Sequence, residues 1–157
     1  MANKPNVSNQ FLPYKAQDWS QELIPMKASV AMDQGDAIGR DISSNDVTGY
    51  STIMGTENAA GFDFVGILAE TIATTDDDYA TGGKLKSVFV PRHRNAKAYF
   101  TVGAGTFTAV DVGKTVEIHS DNKSLAVDTA GLGARITKFI SSTRGVCEFS
   151  LPNTETA

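Results

Sequence analysis

Cysteine is almost missing from this sequence. Cys147 is the only one, so no internal disulfide can form. Two histidines, His93 and His119, together with that cysteine cannot fill a four-ligand zinc site. Cationic excess is missing as well: 14 Lys and Arg stand against 18 Asp and Glu, a net charge of −4. A protein that binds nucleic acid by neutralising phosphates needs the opposite balance. No apolar run is longer than a strand, so nothing reads as a membrane span. The opening residues lack an apolar h-region and do not read as a secretory signal. What remains is 157 residues, 41% of them hydrophobic, enough for one sizeable core. The expectation is a soluble protein, not secreted by the usual route and not stapled by metal.

Residues 1–25 differ in composition from the rest. They hold Pro5, Pro13 and Pro25, three of the five prolines, beside the large side chains Phe11, Leu12, Tyr14 and Trp19. Proline fixes φ and removes a donor, which argues against a regular strand or long helix. Disordered tails seldom carry Trp and Phe. The segment is therefore expected to be an extended arm that docks these anchors on its own barrel or on a partner. Trp and Tyr are also the residue types that dominate binding hot spots.

From residue 26 the pattern turns to strands. Met26 to Met32 alternates into the turn Asp33-Gln34-Gly35-Asp36, with Ala37 to Ile42 as the return strand of a hairpin. Further strands are expected at Tyr50–Met54, Phe62–Ala73, Lys84–Val90, Ala96–Val102, Thr115–Ser120 and Leu125–Asp128. A last hairpin joins Arg135–Ser141 to Val146–Leu151. Thr108 with Asp111 three residues on, closed by Gly113, predicts a single helical turn. Nine or ten short strands with turns every 8–12 residues read as an all-β barrel or sandwich. No internal repeat of 20–50 residues is visible. The chain thus divides into an arm over 1–25, a β-barrel domain over 26–152 and a frayed tail over 153–157.

No motif carries catalytic chemistry. Gly103-x-Gly105 lacks the third glycine and the βαβ setting of a dinucleotide loop. Asp76-Asp77-Asp78 invites a calcium reading but lacks the spaced oxygen ligands that a calcium loop needs, so a solvated acidic loop is expected. His93 and His119 have no nucleophile–base arrangement and read as surface histidines. Cys147 shares a strand face with Phe149 and Leu151, the setting of a small buried hydrophobe. Arg92, Arg94 and Arg144 lie on loops, where they can meet an acidic partner surface.

From Phe62 onward a family resemblance is carried by several runs. They are Gly66-Ile67-Leu68-Ala69-Glu70, Tyr79-Ala80-Thr81-Gly82-Gly83-Lys84 and Val88-Phe89-Val90-Pro91, then Phe107 through Val116, and Ser141-Ser142-Thr143-Arg144-Gly145. In style, order and length this text resembles the head decoration (cement) proteins of tailed bacteriophages, over roughly residues 60–152. The resemblance implies a compact antiparallel β-barrel or β-tulip domain with at most one short helical turn. It also implies a homotrimer on the outer capsid surface, bound to the major capsid protein at three-fold and quasi-three-fold sites. Such a protein is made in the host cytoplasm and ends in the virion; it is no enzyme, takes no cofactor and touches neither nucleic acid nor membrane. The family offers no catalytic or ligand motif to carry over, and the long N-terminal arm departs from its pattern. The expected partner contacts are therefore the arm anchors Phe11, Leu12, Tyr14 and Trp19 with Arg92, Arg94 and Arg144. The rival expectation is a glycan-binding surface or tail-fibre module, for which Tyr50, Tyr79 and Tyr99 are the spare aromatics.

Overall fold

The computed structural model describes residues 9–41, 48–54 and 62–149, with the side chain of Phe62 left aside. Readings placed on 1–8, 42–47, 55–61 and 150–157, the frayed tail and Leu151 among them, lie outside the described residues. Eleven strands are present among those described: β1 (Leu12–Pro13), β2 (Trp19–Met26), β3 (Ala37–Asp41), β4 (Ser51–Ile53), β5 (Phe62–Leu68), β6 (Lys84–Pro91), β7 (Lys97–Ala104), β8 (Thr115–Ile118), β9 (Leu125–Ala130), β10 (Ala134–Ser141) and β11 (Arg144–Phe149). The all-β class is as expected. The helical turn at Thr108 is there as a 3-10 turn over Ala109–Asp111, where the Thr108 N–H donates to the Asp111 carboxylate at 2.9 Å. Gly113 follows with φ +100°. A second 3-10 turn, Ala16–Asp18, exceeds the single turn expected.

Two boundaries need correction. The arm ends at Asp18, because Trp19–Met26 is a full strand paired with β6 from Trp19↔Pro91 to Met26↔Lys84. Pro25 is tolerated there because it stands one residue from the strand's end, where few ladder bonds remain to lose. The hairpin expected over Met26–Ile42 is not formed either: Met26 closes β2, and Lys27–Asp36 is a loop with one isolated bridge, Met32 to Ile72. The Asp33–Asp36 turn itself is present, with the Asp36 N–H donating to the Asp33 carbonyl at 3.0 Å.

The single barrel expected over 26–152 is instead two rings of strands. The first is the closed barrel β2-β4-β3-β5-β6. The second comes from the series β1-β7-β11-β10-β8-β9, whose β7 also pairs with β9, so that β7, β9, β8, β10 and β11 close on themselves. Both rings run first, third, second, fourth, fifth strand in chain order. In both, the first and third strands are parallel and every other pair is antiparallel.

The correspondence extends to individual residues. Gly35 donates to the Leu68 carbonyl at 2.9 Å, and Leu68 donates back to Asp36 at 2.9 Å. Gly113 donates to Ile136 at 2.8 Å, and Ile136 donates back to Lys114 at 2.9 Å. Arg40 faces Ser51 where Ile118 faces Leu125, and Leu68 faces Val88 where Ile136 faces Cys147. The turn leading into each second strand reads Ala31-Met32-Asp33-Gln34-Gly35 in one ring and Ala109-Val110-Asp111-Val112-Gly113 in the other. The chain is two copies of one five-stranded topology in tandem.

Two cores follow. Met26, Met32, Ile38, Leu68, Ile72 and Val88 fill part of the first barrel. The second core occupies the other ring and continues across the junction, where Phe64 stacks on Phe149 at 4.0 Å and Phe11 meets Phe149 edge-on at 5.0 Å. Burying each such ring contributes about 1.5–3 kcal/mol, with about 0.5–1.5 kcal/mol more for each well-placed aromatic pair.

Candidate interaction surface

The arm divides its anchors between inside and outside. β1 adds to the edge of β7 through Leu12↔Tyr99 and Pro13↔Ala98, and the Phe11 N–H donates to the Gly35 carbonyl at 3.0 Å. One short segment thereby ties the first ring to the second. Alternation along an extended chain sends neighbouring side chains to opposite faces. Phe11 is completely buried and Leu12 is 36% exposed. Trp19 is buried as well, its indole N–H donating to the Lys97 carbonyl at 3.0 Å. Phe11 and Trp19 therefore belong to the fold, which corrects their assignment as partner contacts.

The outward half of the arm meets other expected residues. Tyr14 lies edge-on to Tyr99 with centroids 5.0 Å apart, and the Arg144 guanidinium sits 5.0 Å from the Tyr99 centroid. Leu12, Tyr14, Tyr99 and Arg144 thus share one outer face of β1, β7 and β11. A cation over a partly exposed ring contributes about 0.5–1 kcal/mol, enough to orient the arginine. Arg92 and Arg94 are exposed on the link between the rings, before β7 begins, while Arg144 pairs with Thr101 further along that strand. Arg92 Nε donates to the Trp19 carbonyl at 3.3 Å, and His93 pairs with Asp18 at 3.2 Å. The three arginines are not brought to one place. Neither are the three tyrosines: Tyr50 packs on Gly82 and Gly83, and Tyr79 lies under Lys84, both in the first ring, whereas Tyr99 is in the second.

Two carboxylates of the acidic run, Asp76 and Asp78, have partners within the first ring. Asp76 accepts from the Ala73 N–H at 2.9 Å, and Asp78 pairs with Lys86 at 3.0 Å. The Lys86 hydrogen bond holds the Asp78 carboxyl below the usual range. Lys84, buried, donates its ammonium to the carbonyls of Lys27 at 3.0 Å and Tyr79 at 2.8 Å, closing the loop over the end of the barrel. Among the described residues no three His, Cys, Asp or Glu side chains gather as a metal site. Cys147 is fully buried, and burial pushes its thiol well above the ordinary value.

A clasp between the rings has no signature in the sequence. Lys123 reaches Asp33 at 2.9 Å and Asp36 at 3.0 Å, and the Ala37 N–H donates to the Asn122 carbonyl at 2.9 Å. Burial pushes Asp36 up to about 6, against the opposing pull of the Asp33 backbone and Lys123. Burial also works against charge on Lys123, but its two carboxylates outweigh it and hold the amine above its ordinary value. Both ends of the clasp are legible as turns, Asp33–Asp36 and Asp121–Ser124, yet nothing in the sequence pairs them. Compared with models of known families, with curated proteins and with solved structures, the chain matches none.

Proposed function

We propose that this chain is a structural virion protein that binds the outside of a mature tailed-phage head and stabilises the lattice at three-fold and quasi-three-fold sites. Its partner in this reading is the major capsid protein, and it acts as a homotrimer without cofactor, nucleic acid or membrane. The observation that carries the reading is the outer face of Leu12, Tyr14, Tyr99 and Arg144, an aromatic–arginine cluster mounted on two mutually braced barrels. Aromatic and arginine side chains on rigid elements are the types that supply most binding energy. The resemblance of residues 60–152 to decoration proteins supplies the identity of the partner. Many copies, each bound more tightly to the mature lattice than to its unfolded or immature form, add up by mass action.

Removing the whole arm would not test this, since the buried Phe11 and the β1 pairing tie the arm into the fold. The test is to mix purified protein with undecorated heads and follow binding by co-sedimentation and imaging. The wild type is expected to decorate the heads. Tyr14→Ala with Arg144→Ala should weaken binding by about 10-fold or more, the loss of one or two hot-spot contacts, with unchanged circular dichroism. Bare heads with the wild type, or undiminished decoration by the double variant, would remove the reading.

A further inference from the structure

The tandem copies differ in charge at one matched outer face. Register sets the second ring's cross-strand pairs Lys97–Glu148, Tyr99–Val146 and Thr101–Arg144 at the positions of Gln21–Phe89, Leu23–Ser87 and Pro25–Leu85 in the first. None of those first-ring residues is charged, so the topology itself makes no demand for charge there. In the second ring, β7, β11 and β10 stand side by side and carry Lys97, Arg144, Arg135 and Lys138. Glu148 is the only carboxylate in the three strands. This cationic excess sits in a chain whose net charge is −4.

Alternation along the strands fixes where these side chains go. Ala98, Phe100, Ile136 and Cys147 are completely buried, so Lys97, Tyr99, Arg135 and Glu148 beside them point to the outer face. Lys138 stands opposite Val146 on that same face. Lys97 and Glu148 pair at 3.0 Å and cancel. Arg135, Lys138 and Arg144 are exposed, and among the described residues none of the three has an ion pair.

Such a face selects the chemistry of what covers it. Like charges held together repel, and carboxylates brought from outside relieve that repulsion. Beside the cations, Leu12, Tyr14 and Tyr99 offer apolar ground at the β1 edge. The strands β1-β7-β11-β10 span about 14 Å, the reach of about four residues of extended chain. A long polyanion such as nucleic acid would also meet the field of the first ring, where carboxylates outnumber cations, and be repelled.

We propose that the outer face of β7, β10 and β11 binds an acidic protein segment. Its carboxylates take Arg135, Lys138 and Arg144, and its apolar side chain lies on Tyr99 and Leu12. This deepens the capsid reading, resting on the same face, by naming the chemistry of the partner's segment.

The probe is a blocked hexapeptide of glutamates around two central leucines, titrated into the full chain and followed by backbone NMR shifts of β7, β10 and β11. Saturable binding is expected at a Kd of about 1 mM or tighter in about 50 mM salt. The glutamine version of the peptide should bind about 5-fold more weakly, the size of two or three exposed ion pairs. Raising salt to about 500 mM should weaken the acidic peptide by a similar factor. Arg135→Gln with Lys138→Gln should bring the same loss, with unchanged circular dichroism. Lys27→Gln with Lys114→Gln removes as much charge away from the face and should leave binding within about 2-fold of wild type. The proposal is overturned by the absence of saturable binding, by the glutamine peptide binding as well, by equal losses in the two double variants, or by oligothymidylate of equal charge binding more tightly. No heads enter this titration. Bare heads with peptide binding would therefore remove the capsid reading alone, and decorated heads without peptide binding would remove this proposal alone.

Discussion

The two barrels share an order of strands, a parallel closure and a register, yet the second has a core rich in aromatic side chains that continues over the junction, and the first has a smaller core of Met, Ile, Leu and Val. They differ also in charge: carboxylates outnumber cations over residues 19–91, and cations outnumber carboxylates over 92–149. Their fourth-to-fifth connections differ too, running from Ala69 to Gly83 in the first and only over Ser142–Thr143 in the second. The backbone ring, held by main-chain hydrogen bonds, leaves the identity of many inward residues free. The second ring uses that freedom for stability, and its core extends over the junction through Phe149. In the first ring, Lys84 with the 69–83 loop closes one end.

The largest expected effect breaks the junction between the twins. Phe149 lies between Phe64 and Phe11, and Phe149→Ala should cost about 3–5 kcal/mol, read from urea unfolding. Because the second core continues into the first ring, the wild type should unfold in one transition by every probe. Two resolved transitions in the wild type would show the barrels to be independent and the shared core unimportant.

The clasp gives the next effect, and it separates the rings by pH. Asp36 is raised in the folded state to about 6 from 3.8. Between those values the folded chain holds more protons than the unfolded one, so this group's contribution to stability falls as pH rises through that window. Comparing urea midpoints near about pH 4.5 and about pH 7.5, Asp36→Asn should remove a loss of no more than about 3 kcal/mol. The second ring has no such term, since Lys114 occupies the position of Asp36 and is itself held above its ordinary value by Asp111. An unchanged slope in Asp36→Asn would assign the pH dependence elsewhere.

Local chemistry was readable in the sequence, and distant pairing was not. The turns at Asp33–Asp36, Thr108–Gly113 and Asp121–Ser124 announce themselves because Asp, Asn and Gly satisfy backbone groups nearby. Strands Lys84–Pro91 and Lys97–Ala104 fall within about a residue or two of the pattern, the usual scatter of strand ends. The first strand of the first ring was hidden by Pro25 and by the polar residues Ser20, Gln21 and Glu22. The duplication was hidden because only an Ala-x-Asp-x-Gly turn recurs, while the inward residues have diverged from Phe100 to Ile24 and from Leu125 to Ser51. Of the proposed interaction surface, composition singled out Tyr14 and Arg144 but not their meeting at Tyr99. Nor could it tell Phe11, which faces in, from Leu12, which faces out.

The smallest effect uses the one turn that both copies keep. Gly35 and Gly113 have φ of +95° and +100°, in the region where a side chain is strained. Alanine at either should therefore cost about 1 kcal/mol through the backbone alone. At Gly113 nothing lies within 4 Å of the added methyl, so the cost should stop there. At Gly35 the methyl would come within 2.5 Å of Gln10 Cβ, displacing the arm just where Phe11 bonds to the Gly35 carbonyl. Gly35→Ala should then cost about 1–3 kcal/mol more than its twin, the range for overpacking a filled site. Urea midpoints of the two variants measure the difference. Equal losses would mean that the arm yields without resistance, and that the main chain of the turn alone sets the demand for glycine.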